Sequence, residues 1–200
     1  MWDLQCEVRS KNDKRKQEMI LLKGRPRDES GREAREIRVY DYLDRLGIEF
    51  YRVDHARAET MNDCEAIDIA LETVMCKNLV LCNRQHTMFY LLMMPASKPF
   101  RTKDVSHMIN SARLSFAEGE YLERFLDVHP GSVSIMGLMN DKNHDINLLI
   151  DKEVLEPEFI GCHPCENTTS LKIRTADILE KYLPATGHTP TILDIPRSEE

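Results

Sequence analysis

Two hundred residues with 27 basic and 34 acidic side chains, a formal charge of -7 and 42% apolar types suit one domain with a real core and exclude a wholly disordered chain. The longest unbroken apolar run, Met88 to Met94, covers seven residues, against the roughly 20 that a membrane helix needs. Six cysteines are too few for a disulfide scaffold, and the start Met1-Trp2-Asp3 turns charged at once, unlike a secretory signal; free thiols in a reducing cytoplasm are the expectation.

In chain order, residues 1–31 come first. They contain the basic cluster Lys11, Lys14, Arg15 and Lys16 and the breaker-rich stretch Gly24 to Gly31, which reads as a charged, partly flexible leader. The folded domain is expected over 32–200. Residues 1–38 carry 11 basic and 8 acidic side chains, a net +3, and the remainder 16 and 26, a net -10. Such an acidic body is not that of a nonspecific nucleic-acid binder; an RNA ligand would need a local patch and a pocket.

Val39, Tyr40, Leu43 and Leu46 form one helical stripe ended by Gly47, and a short strand follows at Phe50 to Val53. Asn62 with Glu65 reads as a capping box opening a second helix with Ile67, Ala70, Leu71 and Val74 inward. Leu79 to Cys82 and Met88 to Met94 read as a hairpin closed by Pro95. Thr102 is expected to cap a short helix, and Ser115 with Glu118 to box another bearing Phe116, Leu122, Phe125 and Leu126. After the Pro130-Gly131 turn, Val133 and Ile135 alternate with serines as a strand would. Strands follow at Ile146 to Ile150 and Thr169 to Ile173. Then come a helix capped by Thr175 with Ile178, Leu179, Tyr182 and Leu183 inward, and an edge strand at Thr191 to Ile195. Strands and helices interleave irregularly, so the fold class is α/β with a mixed sheet and flanking helices.

Chemistry is sparse by motif: GxGxxG, Walker, HExxH and GxSxG patterns are missing from the sequence. Cys162-His163-Pro164-Cys165 offers a CxxC pair without a second pair to complete a zinc site, and semi-buried free thiols are the plainer reading. Lys77, between a helix and a strand, could hold a phosphate or polarise a carbonyl, although a lysine in that place is more often a solvated flank residue. Gly131-Ser132 offers backbone N–H groups to an oxyanion, amine or hydroxyl, or is simply a tight turn. Asn140 flanks one polar turn, and Asn167-Thr168 follows the histidine tetrad; such residues are mostly caps and turn formers.

Several ordered blocks together make a resemblance: Cys76-Lys77-Asn78-Leu79-Val80-Leu81, Ser111-Ala112-Arg113-Leu114-Ser115-Phe116-Ala117, Pro130-Gly131-Ser132-Val133, Gly137-Leu138-Met139-Asn140-Asp141, Cys162-His163-Pro164-Cys165 with Asn167-Thr168, and Gly187-His188-Thr189-Pro190. From about residue 34 to 195 the chain resembles the YbaK-type aminoacyl-tRNA deacylases, and among them the free-standing prolyl-tRNA editing proteins of the PrdX or ProXp-ala type. The resemblance implies a compact YbaK-like α/β domain around a mixed, strongly curved β-sheet. It also implies hydrolysis of the ester on a mischarged tRNA, with Ala-tRNA(Pro) as substrate. Cys-tRNA(Pro), another mischarged tRNA, or a catalytically weak tRNA- or synthetase-binding module remain the alternatives. By that likeness Lys77 is the functional lysine, Gly131, Ser132, Asn140, His163, Asn167 and Thr168 surround the substrate, and neither metal nor cofactor is needed. The partners implied are the acceptor end of a proline tRNA and, as an open alternative, a transient contact with prolyl-tRNA synthetase or an elongation factor.

Overall fold

The computed structural model describes residues 19–58 and 61–197. Most of the expected leader, with the Lys11, Lys14, Arg15 and Lys16 cluster, lies outside the described residues. Its last part belongs to the sheet: β1 (Leu22–Lys23) pairs antiparallel with β2 (Phe50–Asp54), and Arg25 reaches Asp41 and Asp44 at 2.9 Å each.

The chain then runs through α1 (Ala34–Arg45), β2, α2 (Met61–Leu71), β3 (Cys76–Asn83), β4 (Phe89–Pro95), α3 (Thr102–Met108), β5 (Leu114–Phe116) and α4 (Gly119–Leu126). A 3-10 helix at Ile135–Asn140 leads into β6 (Ile146–Asp151), a second 3-10 turn at Lys152–Leu155, β7 (Phe159–Cys162) and β8 (Thr169–Arg174). The last helical segment is divided into α5 (Thr175–Asp177), a π-helical stretch (Ile178–Tyr182) and α6 (Leu183–Thr186), before β9 (Thr191–Leu193). Pro184 has no N–H for the turn behind it, and the wide π turn lies immediately before it.

The mixed architecture resolves into two sheets. One has the order β1-β2-β8-β7 and is antiparallel throughout; the other, β5-β3-β4-β6-β9, has parallel β4-β6 and β6-β9 pairs. The main core lies between them: Phe50, Ile160, Leu171 and Ile173 from one sheet meet Val80, Leu91, Met93, Leu148 and Ile150 from the other, with Tyr40 and Leu43 of α1 and Phe125 of α4. A smaller cluster of Leu81, Leu92, Met94, Val105, Leu114, Leu149 and Leu193 occupies the second sheet's opposite face, under α3. On β3 the period of two therefore assigns Lys77, Leu79 and Leu81 to the α3 face, and Cys76, Val80 and Cys82 to the main core.

Several local expectations change. Asn62 stands inside α2 rather than at its cap, and Val74 lies beyond the helix and is exposed. Ser115 belongs to β5; Glu118 is the N-cap of α4, without a side-chain cap bond. Thr102 and Thr175 are the first helical residues, not caps, and the Thr175 hydroxyl donates to the Pro157 carbonyl at 2.6 Å. Val133 to Ile135 is no strand, because the Ser134 side chain accepts from the Met136 N–H and opens the 3-10 helix. The strands without a sequence expectation are β1, β5 and β7, the last four residues long with Gly161 paired in register to Lys172.

Candidate functional site

The site begins at the seam between the sheets. Met75 and Gly161 form a parallel bridge in which the Gly161 N–H donates to Val74 O at 3.1 Å. A Cβ at Gly161 would lie 2.8 Å from Met75 Sδ and 3.0 Å from its Cα, so the close approach needs glycine. From this bridge the chain enters β3 on one side and the end of β7 on the other, running the same way. Lys77 and His163 each stand two residues past it, at the same end of the seam.

Lys77 donates from Nζ to the Lys98 carbonyl at 2.9 Å, and burial lowers its pKa from the ordinary lysine value. The acceptor is held firmly. Lys98 is itself fully buried, with its ammonium 2.8 Å from both Asp151 and Glu153, and its N–H donates to Pro95 O at 3.1 Å. Burial opposes that charge, but the bonds to the two carboxylates outweigh it and raise the Lys98 pKa.

His163 is paired through Nδ1 with the Thr169 carbonyl at 3.0 Å; the carbonyl can only accept, which assigns the proton to Nδ1 and leaves Nε2 as an acceptor. Burial pushes its pKa down to about 4, with the Thr169 bond opposing and the nearby His55 assisting, so the ring is neutral at pH 7. Sequence reasoning missed His55. It follows β2, its backbone N–H donates to Thr168 O at 2.9 Å, and its ring lies 6.2 Å from that of His163. Its Nδ1–H is directed at Ala56 O (2.8 Å), so Nε2 accepts from Ser170 Oγ at 2.9 Å, and that hydroxyl lies 3.5 Å from His163 Nδ1. The one signal in the sequence was a histidine ending a strand, which is too common to single out.

Gly131 and Ser132 come to the same place from a third direction. Gly131 has φ 88°, which favours glycine, and a Cβ there would lie 3.9 Å from Asn167 Nδ2. The loop that carries Asn167 leaves β7 through His163, and Cys165 adopts a left-handed φ of 61° within it. Asn167 donates from Nδ2 to Ala58 O at 3.2 Å. Its Oδ1 and the Ser132 Oγ are both buried without a hydrogen-bond partner, although the two residues are only 7% and 1% exposed. Buried polar atoms normally find partners; among the described residues Arg52 Nε and Asn78 Oδ1 share this state, but Ser132 and Asn167 have it in two segments that approach one another.

Thr168 lines an open polar cleft of about 430 Å³ with Arg32, Glu36, Asp54, Arg57 and Glu166. Both arginines lining it are already paired, Arg32 with Glu36 (2.6 Å) and Asp54 (2.8 Å), and Arg57 with Glu166 (3.1 Å). Asn140 has a different setting. Its amide donates to Leu126 O at 2.9 Å and borders a shallow groove with Arg38, Tyr42 and Lys142. Cys162 and Cys165 are buried free thiols; burial raises both pKa values, that of Cys165 to about 12, which keeps them protonated and unreactive. Among the described residues no group of three or more His, Cys, Asp or Glu side chains could hold a metal ion, and no helix is long and apolar enough to cross a membrane.

A lysine at the seam, a neutral histidine with a free Nε2, and a glycine turn beside two unpaired polar atoms can bind and orient a polar ligand and meet developing negative charge with fixed donors. Comparison with known proteins follows the same lines. The family described as "Aminoacyl-tRNA editing domain" matches residues 55–181, the stretch from His55 past Thr168. The chain is 29% identical over 147 residues to "Prolyl-tRNA editing protein ProX" of Acetoanaerobium sticklandii, covering 74% of this chain and 89% of that protein. It is also 29% identical over 155 residues to "Prolyl-tRNA synthetase associated domain-containing protein 1" of Danio rerio, covering 76% and 83%. Among solved structures it is similar to a protein proposed as a trans-editing enzyme for prolyl tRNA synthetase, with a TM-score of 0.60, 14% identity and coverage of 82% and 99%, a likeness of fold.

Proposed function

The chain belongs to the aminoacyl-tRNA editing domain family, and from that premise we propose that it is a trans-editing hydrolase that removes alanine from mischarged proline tRNA in the cytoplasm. Two of its relatives, one named for prolyl-tRNA editing and one for association with prolyl-tRNA synthetase, support the choice of tRNA. The observation that carries the reading is the pair of buried, unpartnered atoms, Ser132 Oγ and Asn167 Oδ1, in a turn and a loop that approach each other where the chain leaves β7 through His163.

An aminoacyl ester is already activated by the neighbouring ribose hydroxyl, so the protein needs to position it, admit one water and stabilise the oxyanion. Lys77 engages the phosphate or sugar of the terminal adenosine and orients the ester. The Gly131-Ser132 turn and Asn167 face the aminoacyl group, Ser132 donating and Asn167 Oδ1 accepting from its amine. His163, neutral and fixed by Thr169, lines the amino-acid side and limits its size; with its pKa near 4 it is a poor general base at neutral pH. The substrate's own 2′-hydroxyl assists the water. Alanine enters where the proline ring is excluded, so the correct product is spared.

Single-turnover deacylation of alanyl-, cysteinyl- and prolyl-tRNA(Pro) tests this. Fast loss of alanine with proline retained is expected, and equal rates for alanine and proline would refute the specificity. Binding of the tRNA without turnover of any ester would refute the hydrolase.

A further inference from the structure

The proposed mechanism leaves an aromatic pair on the Lys77 face of the second sheet unused. Phe116, the last residue of edge strand β5, is 58% exposed and packs edge-to-face against half-buried Phe100, with ring centroids 5.7 Å apart. Both are tied to the site. Phe100 lies two residues beyond Lys98, whose carbonyl receives the Lys77 ammonium. Phe116 is paired with Leu81, which shares the face of Lys77 and Leu79 four residues along β3, about 13 Å away at ~3.3 Å per residue. Between them Leu79 packs against the same apolar cluster as Phe100. β5 ends at Phe116; Ala117 still donates its N–H to Val80 O at 2.9 Å, and β5 does not pair with β3 from Leu79 to Lys77. Lys103 on α3 and Arg113, three residues before Phe116, are exposed cations on the flanking segments.

We propose that the Phe100–Phe116 pair is a stacking platform for the unpaired bases that precede the terminal adenosine of the tRNA, a binding subsite distinct from the ester pocket. An exposed ring surface beside cations is what single-stranded RNA takes up, since every base has a π face and the backbone is anionic. The spacing suits it: the strand is held at one end by Lys77 and passes along the open edge of β3 to Phe116. The platform also gives an acidic protein a local means of holding RNA. The inference rests on the editing reading and adds to it the part of the tRNA that is gripped.

The test compares two esters, 3′-O-alanyl-adenosine and the alanylated trinucleotide cytidylyl-cytidylyl-adenosine, with wild type, Phe116→Ala, Phe116→Leu and Phe116→Trp. The wild type should hydrolyse the trinucleotide with about 10-fold higher kcat/KM, the difference residing in KM. Alanine and leucine at 116 should abolish that advantage and leave alanyl-adenosine unaffected, while tryptophan retains it. Equal advantage in all four proteins overturns the platform. A parallel loss on both esters also overturns it, because it assigns Phe116 a framework role. If the wild type cleaves neither ester nor any charged full-length tRNA, the editing reading falls and the platform with it.

Discussion

Two loops that the resemblance treats alike differ in how their polar atoms are used. In the block Gly137 to Asp141 the assigned polar groups are engaged within the protein. Asn140 donates to Leu126 O at 2.9 Å, and Asp141 accepts from the N–H groups of Asp145 (2.9 Å) and Ile146 (2.8 Å) and contacts His188 Nε2 at 3.1 Å. A Cβ on Gly137 would come within 2.9 Å of Leu126 Cβ, so the 3-10 helix lies directly on the end of α4. Ser132, after exposed Gly131, and its neighbour Asn167 are as deeply buried as Asp141, yet Ser132 Oγ and Asn167 Oδ1 are unpaired. An unsatisfied buried polar group costs about 1–3 kcal/mol. The first loop therefore satisfies its polar groups within the framework, and the second, which the proposed function sets against the aminoacyl group, does not.

Removing the framework carboxylate should have the largest effect. Asp141→Ala strands two backbone donors and His188 in the interior, and a loss of about 3–5 kcal/mol is expected in urea unfolding. Deacylation per folded molecule should persist at low temperature. Lys77→Ala should do the converse, lowering single-turnover deacylation by about 100-fold while the melting temperature stays close to that of the wild type. Ser132→Ala sharpens the contrast further. Deleting an unpaired buried hydroxyl should leave stability equal or slightly higher, with a fall in rate of about 10-fold; a clear loss of stability would mean that the hydroxyl has a partner in the folded protein.

The smallest effect concerns pH. Because burial depresses the His163 pKa to about 4 in the fold, the unfolded chain binds its proton first as pH falls from about 6.5. The unfolded state then holds more protons than the native one, so stability falls with decreasing pH between about 6.5 and 4 and is flat above. His163→Asn should weaken that slope in melting temperature against pH. The deacylation profile of the wild type should show no inflection near 6.5 from this histidine; a steep one there would refute its neutral, buried state.

Much of this was legible in the chain itself. The stripe of Val39, Tyr40 and Leu43, the β3-β4 hairpin and the inward set Ile178, Tyr182 and Leu183 follow from periodicity, because burial repeats every 3.6 or 2 residues and is written locally. Local signals failed where tertiary contacts override them. Ser115 joins β5 through its pairing with Cys82 rather than capping a helix, and β7 exists because Phe159 to Cys162 pairs with β8. The ordered blocks identified the family and its candidate residues, but not which of their polar atoms find partners within the fold.

That division was decided by tertiary structure alone. Composition, periodicity and ordered motifs determined the α/β fold class and the residue types of the candidate site, since each depends on neighbours close in sequence. The meeting of Gly131 with Asn167, of Lys77 with the Lys98 carbonyl, of His55 with Ser170 and of Phe100 with Phe116 depends on loop paths and on close approaches such as that of Met75 and Gly161. Those contacts join segments whose local patterns are silent about one another, so only the packed chain reveals which polar atoms are left without a partner.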